Sequence, residues 1–256
     1  MIRVGRIKYK DDEDNYIPNG IIPSFDNYET IVVMTKSSKY FSLSPYCLKD
    51  EQGRIMEQIW QSSKLNIWVP EVKEVYSRWD NRVIWEWPSE YHVKDGNIQP
   101  NYWKWRAAGL SCKDAVRYPT GQQFYKRNRW HCIIAEIPPE LDLTIPQALC
   151  KFIPLDWIEG RKQVYIPNYS RLVQREKQYL ELAEKLRNGI NLLIVEVDGP
   201  HQESLSYYKE KYKVEDNFIQ KDTMIANKIN LDLMLNDEKH SFGHGYCLAG
   251  CLLGLY

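Results

Sequence analysis

Glu57-Gln58-Ile59-Trp60-Gln61-Ser62-Ser63-Lys64 has the pattern of a helix, and it follows Ser44-Pro45-Tyr46-Cys47-Leu48 and the turn residues Asp50-Glu51-Gln52-Gly53. This order predicts a short strand, a tight turn and a helix over residues 54–66. Glu57, Gln61 and Lys64 stand at positions i, i+4 and i+7, which return to one face of a helix. A carboxylate, an amide and an ammonium beside Trp60 form a candidate catalytic surface. The alternative interpretation is an ordinary solvated helix face.

Composition bounds the class of protein. The chain has 256 residues, of which 43% are hydrophobic and 27% charged, as in globular proteins with a substantial core. Lys and Arg total 34, equal to Asp and Glu, which argues against a general nucleic-acid binder. An apolar run of about 18 residues is missing, so a membrane-spanning helix is not expected. Residues 1–6 lack the apolar core of a signal peptide, and we therefore expect a cytoplasmic protein.

Three blocks of the sequence carry a resemblance to a known family. The first is the order Pro-Tyr, Gly turn and Glu-x-x-x-Gln-x-x-Lys within residues 41–65. The second, residues 154–200, contains Asp156-Trp157-Ile158-Glu159-Gly160-Arg161, a long helical pattern and an apolar stretch that ends at Glu196. The third, residues 240–256, contains Gly243-His244-Gly245 and a Leu-rich closing helix. In this order the blocks resemble the NADAR family, with residues 66–153 as a large insertion.

The resemblance implies a function and a set of site residues. It implies an N-glycosidase that acts on an ADP-ribosylated nucleobase or a ribosyl-phosphate metabolite, possibly on nucleic acid, without a cofactor or a metal. Such a reaction needs a carboxylate near the anomeric carbon, a base for water, and groups that hold phosphate. The expected catalytic residues are Glu57, Trp157, Glu196 and Asp198. The expected substrate-binding residues are Gln61, Lys64, Arg161, Gly243, His244 and Gly245.

Several of these residues have a plain structural alternative. Trp157 would stack on the base or ribose, or it is a core aromatic at a helix start with Asp156 as N-cap. Asp198-Gly199-Pro200 is a site at the end of a strand, or a simple turn. Gly243-His244-Gly245 approaches a phosphate through its backbone, or it is the first turn of a helix. The alternative for the whole protein is a non-catalytic module that binds a nucleotide, ADP-ribose or nucleic acid.

A second stretch competes with the first for the family's catalytic glutamate. Trp87-Pro88-Ser89-Glu90 contains the Trp-Pro pair that the family places before this residue, where this chain has Ile55-Met56. Glu90 is followed by Lys94 at i+4 and Asn97 at i+7, instead of Gln and Lys. Lys94-Asp95-Gly96-Asn97 is typical of a turn, so we prefer Glu57.

The remaining pattern predicts an α+β fold, a mainly helical single domain over residues 1–256 with a few short strands. Residues 1–27 look like polar loop. Strands are expected at 31–34 and 130–135, and a strand or helical turn at 192–195. Helices are expected at 102–108, 169–187, 203–213 and 223–235, and from Tyr246 to the end.

Two further patterns have competing interpretations. Residues 102–106 and 126–130 interleave aromatic and basic residues, which is typical of a nucleotide-stacking surface or of a buried aromatic cluster with peripheral cations. His240, His244, Cys247 and Cys251 have ligand-like spacing. Because the two cysteines fall in an apolar helical stretch, small buried hydrophobes are the preferred interpretation over zinc.

Overall fold

The chain forms an α+β structure that divides into two compact units. The computed structural model describes residues 1–11, 13–34, 39–69, 71, 87–114, 129–133 and 154–256, with side chains left out for 129–133 and 154. The first unit combines residues 1–44 with 169–256, and the second comprises residues 45–168. The second unit is therefore inserted in the sequence of the first. The predicted insertion, 66–153, lies inside it, and both its boundaries and the single-domain prediction stay predictions.

The strands are mostly short. They are β1 Ile2–Arg6, β2 Lys8–Lys10, β3 Tyr16–Ile21, β4 Tyr28–Val32, β5 Lys64–Asn66, β6 Trp68–Val69, β7 Glu90–Tyr91, β8 Val93–Lys94, β9 Asn97–Ile98, β10 Arg129–Ile133, β11 Pro154–Leu155, β12 Asn191–Glu196 and β13 Thr223–Ile225.

Within the described ranges, the helices include one π-helical and two 3₁₀ segments. The α-helices are α1 Met56–Ser63, α2 Pro100–Ser111, α3 Trp157–Gly160, α4 Ile166–Val173, α5 Lys177–Arg187, α6 Leu205–Tyr212, α7 Lys228–Asn236 and α8 His244–Leu252. Phe41–Leu43 and Gln202–Ser204 are 3₁₀, and Arg161–Tyr165 is π-helical.

A four-stranded sheet in the order β13-β1-β12-β4 is the centre of the first unit. Strand β12 is parallel to both of its neighbours, with Arg6 opposite Glu196 and Val32 opposite Val195. Residues 192–195 of β12 are fully buried, as expected for a central parallel strand covered on both faces. Because the three strands are parallel, their carboxyl ends meet at one edge of the sheet. Helix α8 packs against β1 and β12.

The N-terminal strands explain why the fold is mixed. Residues 1–27 were expected to be loop, yet they form β1, β2 and β3. Ile2 and Val4 are buried because β1 lies between β12 and β13, where tertiary pairing outweighs a polar local sequence. The α+β class is confirmed, and the mainly helical character is not.

Other element predictions hold in part. Strands at 31–34 and 130–135 correspond to β4 and to the described backbone of β10, and 192–195 is a strand. The predicted helix 169–187 is interrupted after Val173 and restarts at Lys177, and 223–235 is a strand followed by α7. Residues 44–48 form turns instead of a strand, and 64–66 leave the helix to form β5.

The aromatic–basic stretch 102–106 is buried in the second unit. Tyr102, Trp103 and Trp105 are at most 2% exposed, and Arg106 is fully buried. The Tyr102 hydroxyl and Arg106 both donate to the carbonyl oxygen of Ser62, at 2.7 and 3.3 Å. Of the two interpretations of 102–106, the buried aromatic cluster is therefore confirmed and the stacking surface is wrong, because these rings pack in the core. The other stretch, 126–130, lies outside the described residues at 126–128.

A polar cluster in the first unit fixes the segment that leads into α8. The buried Asp237 carboxylate accepts from the hydroxyls of Tyr207, Tyr208 and Tyr212, at 2.7, 3.2 and 3.1 Å. It also contacts His240 Nδ1 at 2.6 Å. Burial disfavours the charged carboxylate, but the hydrogen bonds from Tyr207 and His240 outweigh it and lower the pKa of Asp237 to about 2. The cluster therefore anchors residues 237–240, close to the glycine loop.

Replacement of Asp237 by Asn is expected to destabilise the first unit. Because the pKa of Asp237 is lower in the folded state than in the unfolded chain, its carboxylate stabilises the fold above about pH 4. This stabilisation is lost as the pH falls towards 2. Asp237→Asn should lower the free energy of unfolding by about 2 kcal/mol at pH 7, with the difference shrinking below pH 4. Urea unfolding of both proteins between pH 2 and 7 measures this. A difference that does not change with pH would contradict the assignment.

Candidate active site

One face of α1 carries the three polar residues that the sequence places together. Gln61 Nε2 donates to Glu57 Oε1 at 2.5 Å, and Lys64 Nζ donates to Gln61 Oε1 at 2.7 Å. Glu57 is 6% exposed and Lys64 is 8% exposed. The common face is thus confirmed, and the interpretation as a solvated helix face is wrong. Buried charged groups that are linked in a row are unusual on an ordinary helix surface.

Aromatic rings and a second cation lie beside this row. The Trp60 ring centroid is 5.2 Å from that of Trp157 and 5.0 Å from that of Tyr165. Lys64 Nζ is 5.3 Å from the Trp157 centroid, and Arg161 Cζ is 5.8 Å from it. Trp157 is half-buried, whereas Arg161 is only 2% exposed. Two cations therefore flank a partly accessible indole, an arrangement favourable for cation–π contacts.

The local sequence explains how Trp157 and Arg161 are placed. The Asp156 carboxylate accepts from the Glu159 backbone N–H at 2.8 Å, so the predicted N-cap is confirmed. Arg161 begins the π-helical segment 161–165 directly after α3. A wider π turn redirects side chains relative to a regular helix, and such turns occur often at functional sites. We name Glu57, Gln61, Lys64, Trp157 and Arg161 the Glu57 cluster.

A second cluster lies at the carboxyl edge of the parallel sheet in the first unit. His244 Nδ1 is 2.8 Å from Glu196 Oε2, and His244 Nε2 is 2.7 Å from the Val33 carbonyl oxygen. The Gly245 backbone N–H donates to Glu196 Oε1 at 2.7 Å. Glu196 is 1% exposed. The imidazole thus joins the ends of β12 and β4, and the start of α8 meets a carboxylate, as the helix dipole favours.

The charge state of His244 follows from these contacts. Burial lowers the pKa of His244, but the Glu196 carboxylate and the Val33 carbonyl outweigh it and raise the pKa to about 9. Both ring nitrogens face acceptors, which requires both to carry protons. His244 is therefore an imidazolium at neutral pH, paired with a buried carboxylate.

The two glycines of this loop are required by the close approach of Glu196. A Cβ atom at Gly243 would overlap the Glu196 carboxylate, and one at Gly245 would lie 2.8 Å from Oε1. The anion at this helix start is thus a side chain of the protein itself. The expected contact of Gly243-His244-Gly245 with a phosphate stays a prediction.

Asp198 occupies the turn that follows β12. Its carboxylate acts electrostatically on both His244 and Arg6, and the residue is exposed. A Cβ atom at Gly199 would collide with the Gly5 carbonyl oxygen, so this glycine lets the turn pack against β1. The turn interpretation is therefore correct for Gly199, while Asp198 also belongs to the charged environment of His244.

The predicted site residues thus fall into two groups in different units. The Glu57 cluster belongs to residues 45–168, and Glu196, Asp198, Gly243, His244 and Gly245 belong to the other unit. The sequence did not reveal Tyr165, Arg6 or the Val33 carbonyl. Tyr165 is four residues after Arg161 and could have been found by helical spacing. The other two depend on strand pairing over more than a hundred residues.

The competing glutamate has a different setting. Glu90 lies in strand β7 and accepts from Trp87 Nε1 at 2.7 Å, with His92 Nε2 at 2.8 Å. Its neighbours Lys94 and Asn97 belong to the β8–β9 hairpin. A helical face of the type seen at Glu57 is therefore not formed at Glu90.

The part of the chain that the structure describes contains neither a cluster of metal ligands nor a membrane-spanning helix. Among the described residues, no three His, Cys, Asp or Glu side chains are arranged to hold a metal ion. His240 instead contacts Asp237, and Cys251 Sγ lies 3.2 Å from the Ser170 hydroxyl. None of the helices in the described ranges is long and apolar enough to cross a bilayer.

Comparison of the chain with protein-family models, curated proteins and solved structures found no match in any of the three.

Replacement of His244 tests the imidazolium assignment. The pKa of His244 is about 9 in the folded state and about 6.5 in the unfolded chain, so the protonated ring stabilises the fold fully below pH 6.5. This stabilisation is lost as the pH rises through 9. His244→Gln should lower the free energy of unfolding by about 3 kcal/mol at pH 6 and by much less at pH 10. Urea unfolding over this range measures the change.

Glu196→Gln serves as the matched variant, since it removes the charge that stabilises the imidazolium. Glu196→Gln should abolish the pH-dependent stabilisation that His244 provides. The titration of the His244 ring, followed by nitrogen-15 NMR, should move well below pH 9. An unchanged titration of His244 in Glu196→Gln would contradict the pairing.

Proposed function

We propose that the protein is a cytoplasmic N-glycosidase of the NADAR type, which cleaves an ADP-ribosylated nucleobase or a ribosyl-phosphate metabolite. The observation that carries the proposal is the Glu57 cluster, in which a buried carboxylate, two cations and a half-buried tryptophan lie together. Each component corresponds to a requirement of glycosyl cleavage. The three sequence blocks that resemble the family give further support.

The roles follow from the chemistry of the side chains. The bond between the anomeric carbon and the base nitrogen breaks, and its electron pair leaves with the nitrogen, which takes a proton from solvent. The oxygen of water bonds to the anomeric carbon, and its proton passes to the Glu57 carboxylate. Before this, the same carboxylate stabilises the positive charge that develops on the sugar.

The other members of the cluster orient the substrate. Gln61 holds Glu57 Oε1 and so fixes the direction of the carboxylate. Trp157 stacks on the ribose or the base, and Lys64 and Arg161 contact the phosphate, for which guanidinium and ammonium groups are suited. In the other unit, Glu196 engages both of its oxygens in the contacts with His244 and Gly245, which favours a positioning role over an acid–base role.

A non-catalytic binding module is the second candidate. The observation that favours it is the low exposure of Glu57, whose Oε1 is already engaged by Gln61. In such a module the cluster would bind the same nucleotide-like ligand without turnover.

The decisive experiment compares wild type with Glu57→Gln on NAD, ADP-ribose, a ribosyl-pyrimidine phosphate and an ADP-ribosylated guanine oligonucleotide. Wild type should release free base from one of them, and Glu57→Gln should lose at least about a hundredfold in rate, as for removal of a general base. Chromatography of released base and sugar measures the reaction. Glu159→Gln is the matched control, because its carboxylate is near Trp157 in sequence yet pairs with Lys162 at 3.1 Å.

Binding of one substrate without release by any protein would favour the binding module. Equal rates for wild type and Glu57→Gln would overturn the catalytic role of Glu57.

A further inference from the structure

A cleft of about 390 Å³ opens on the first unit, away from the residues of the Glu57 cluster in sequence. One wall is basic and carries Arg6, Lys8 and Lys10. An apolar part of the lining consists of Ile21, Ile22 and Pro23, and Ile21 is the cross-strand neighbour of Lys8 in the β2–β3 pair. Lys221 and Asp222 add a turn from another part of the chain, and Asp11 and Ser24 complete the lining. The volume is within the range typical of small-molecule sites, which is about 300–1,000 Å³.

The basic wall follows from strand geometry. Arg6, Lys8 and Lys10 alternate with Ile7 and Tyr9 along β1 and β2. Residues two apart on an extended chain point to the same side, so the three cations form a row. The Arg6 Nε atom is buried and lacks a hydrogen-bond partner among the described residues.

A constrained turn holds the fourth cation. Gln220 and Thr223 exchange backbone hydrogen bonds at 2.8 and 2.9 Å, and the residues between them, Lys221 and Asp222, have φ of +50° and +53°. Positive φ at both central positions favours Asn or Gly, and a lysine there is unusual. Asp222 fixes the turn by accepting from the Gln202 N–H at 2.9 Å and pairing with Lys8 at 3.2 Å. An unfavourable backbone that is held by its neighbours often marks a functional position.

The apolar wall defines the rest of the ligand. Ile21 and Ile22 are 51% and 48% exposed, although β-branched aliphatic residues are usually buried. Together with Pro23 they offer an apolar surface beside the cations. A ligand that satisfies both walls has adjacent anionic groups at one end and an apolar body at the other.

We propose that this cleft is a second binding site, which takes a nucleoside diphosphate through the row Arg6, Lys8, Lys10 and Lys221, with the nucleoside against Ile21, Ile22 and Pro23. The row suits two linked phosphates, since successive cations on a strand are spaced by two residues, roughly 6.6 Å. The cleft shares no residue with the Glu57 cluster, which carries the proposed glycosidase activity and belongs to the second unit.

Calorimetry with the full chain tests the proposal, with ADP and inorganic pyrophosphate as probes. The test variant is Lys10→Gln/Lys221→Gln, since both side chains are exposed and the ion pair of Lys10 with Asp14, at 2.6 Å, is itself exposed. ADP binding should weaken by about tenfold or more in this variant, as expected when charge-assisted contacts are lost. Lys177→Gln, which removes an exposed lysine of α5, is the matched control and should bind ADP as wild type does.

A further variant separates this site from the Glu57 cluster. Lys64→Gln should leave ADP binding to the cleft unchanged. If instead Lys64→Gln abolishes ADP binding and Lys10→Gln/Lys221→Gln preserves it, the cleft proposal is overturned and the glycosidase proposal is not. Absence of ADP binding by wild type at millimolar concentration would also overturn it. Pyrophosphate should bind about tenfold more weakly than ADP, and equal affinity would refute the role of the apolar wall.

Discussion

The ion pair between His244 and Glu196 is the interaction on which the first unit depends. It joins the carboxyl end of β12 to the segment after β4, and Gly245 ties the start of α8 to the same carboxylate. A buried carboxylate alone would be strongly disfavoured, and the imidazolium, the helix start and the backbone acceptor together compensate for this. The pair also determines the local sequence, because only glycine at 243 and 245 leaves room for Glu196.

In the second unit, an amide side chain stabilises two buried charges. The Gln61 amide lies between Glu57 and Lys64. Its Nε2 donates to the Glu57 carboxylate, and its Oε1 accepts from the Lys64 ammonium. An amide between two charges transmits polarisation and keeps both in fixed directions. Glu196 is engaged through both oxygens, whereas Gln61 contacts Glu57 through Oε1. Among the described residues, the two glutamates therefore differ in how many of their carboxylate oxygens are engaged.

The parts of the structure that the sequence predicted are those that depend on local spacing. The common face of Glu57, Gln61 and Lys64 follows from helical periodicity, and the N-cap at Asp156 follows from residue type. Strand β1 was missed because its burial depends on pairing with β12, which is about 190 residues away. For Tyr102 and Trp105 the sequence offered a buried cluster as one of two interpretations but could not decide between them, since the same aromatic–basic pattern is compatible with a surface or with a core.

The glycine loop illustrates how a local sequence can indicate an anion without specifying which anion. A Gly-x-Gly turn at a helix start predicts an approaching anion, and an anion is present. The sequence suggested a phosphate, but Gly245 donates to Glu196, a residue 49 positions earlier in the chain. The basic row at Arg6, Lys8 and Lys10, by contrast, attracted no notice in the sequence because its strand was not recognised. The cleft beside β1 and β2, which several cations line, is therefore a second setting for anion recognition in this unit besides the helix start.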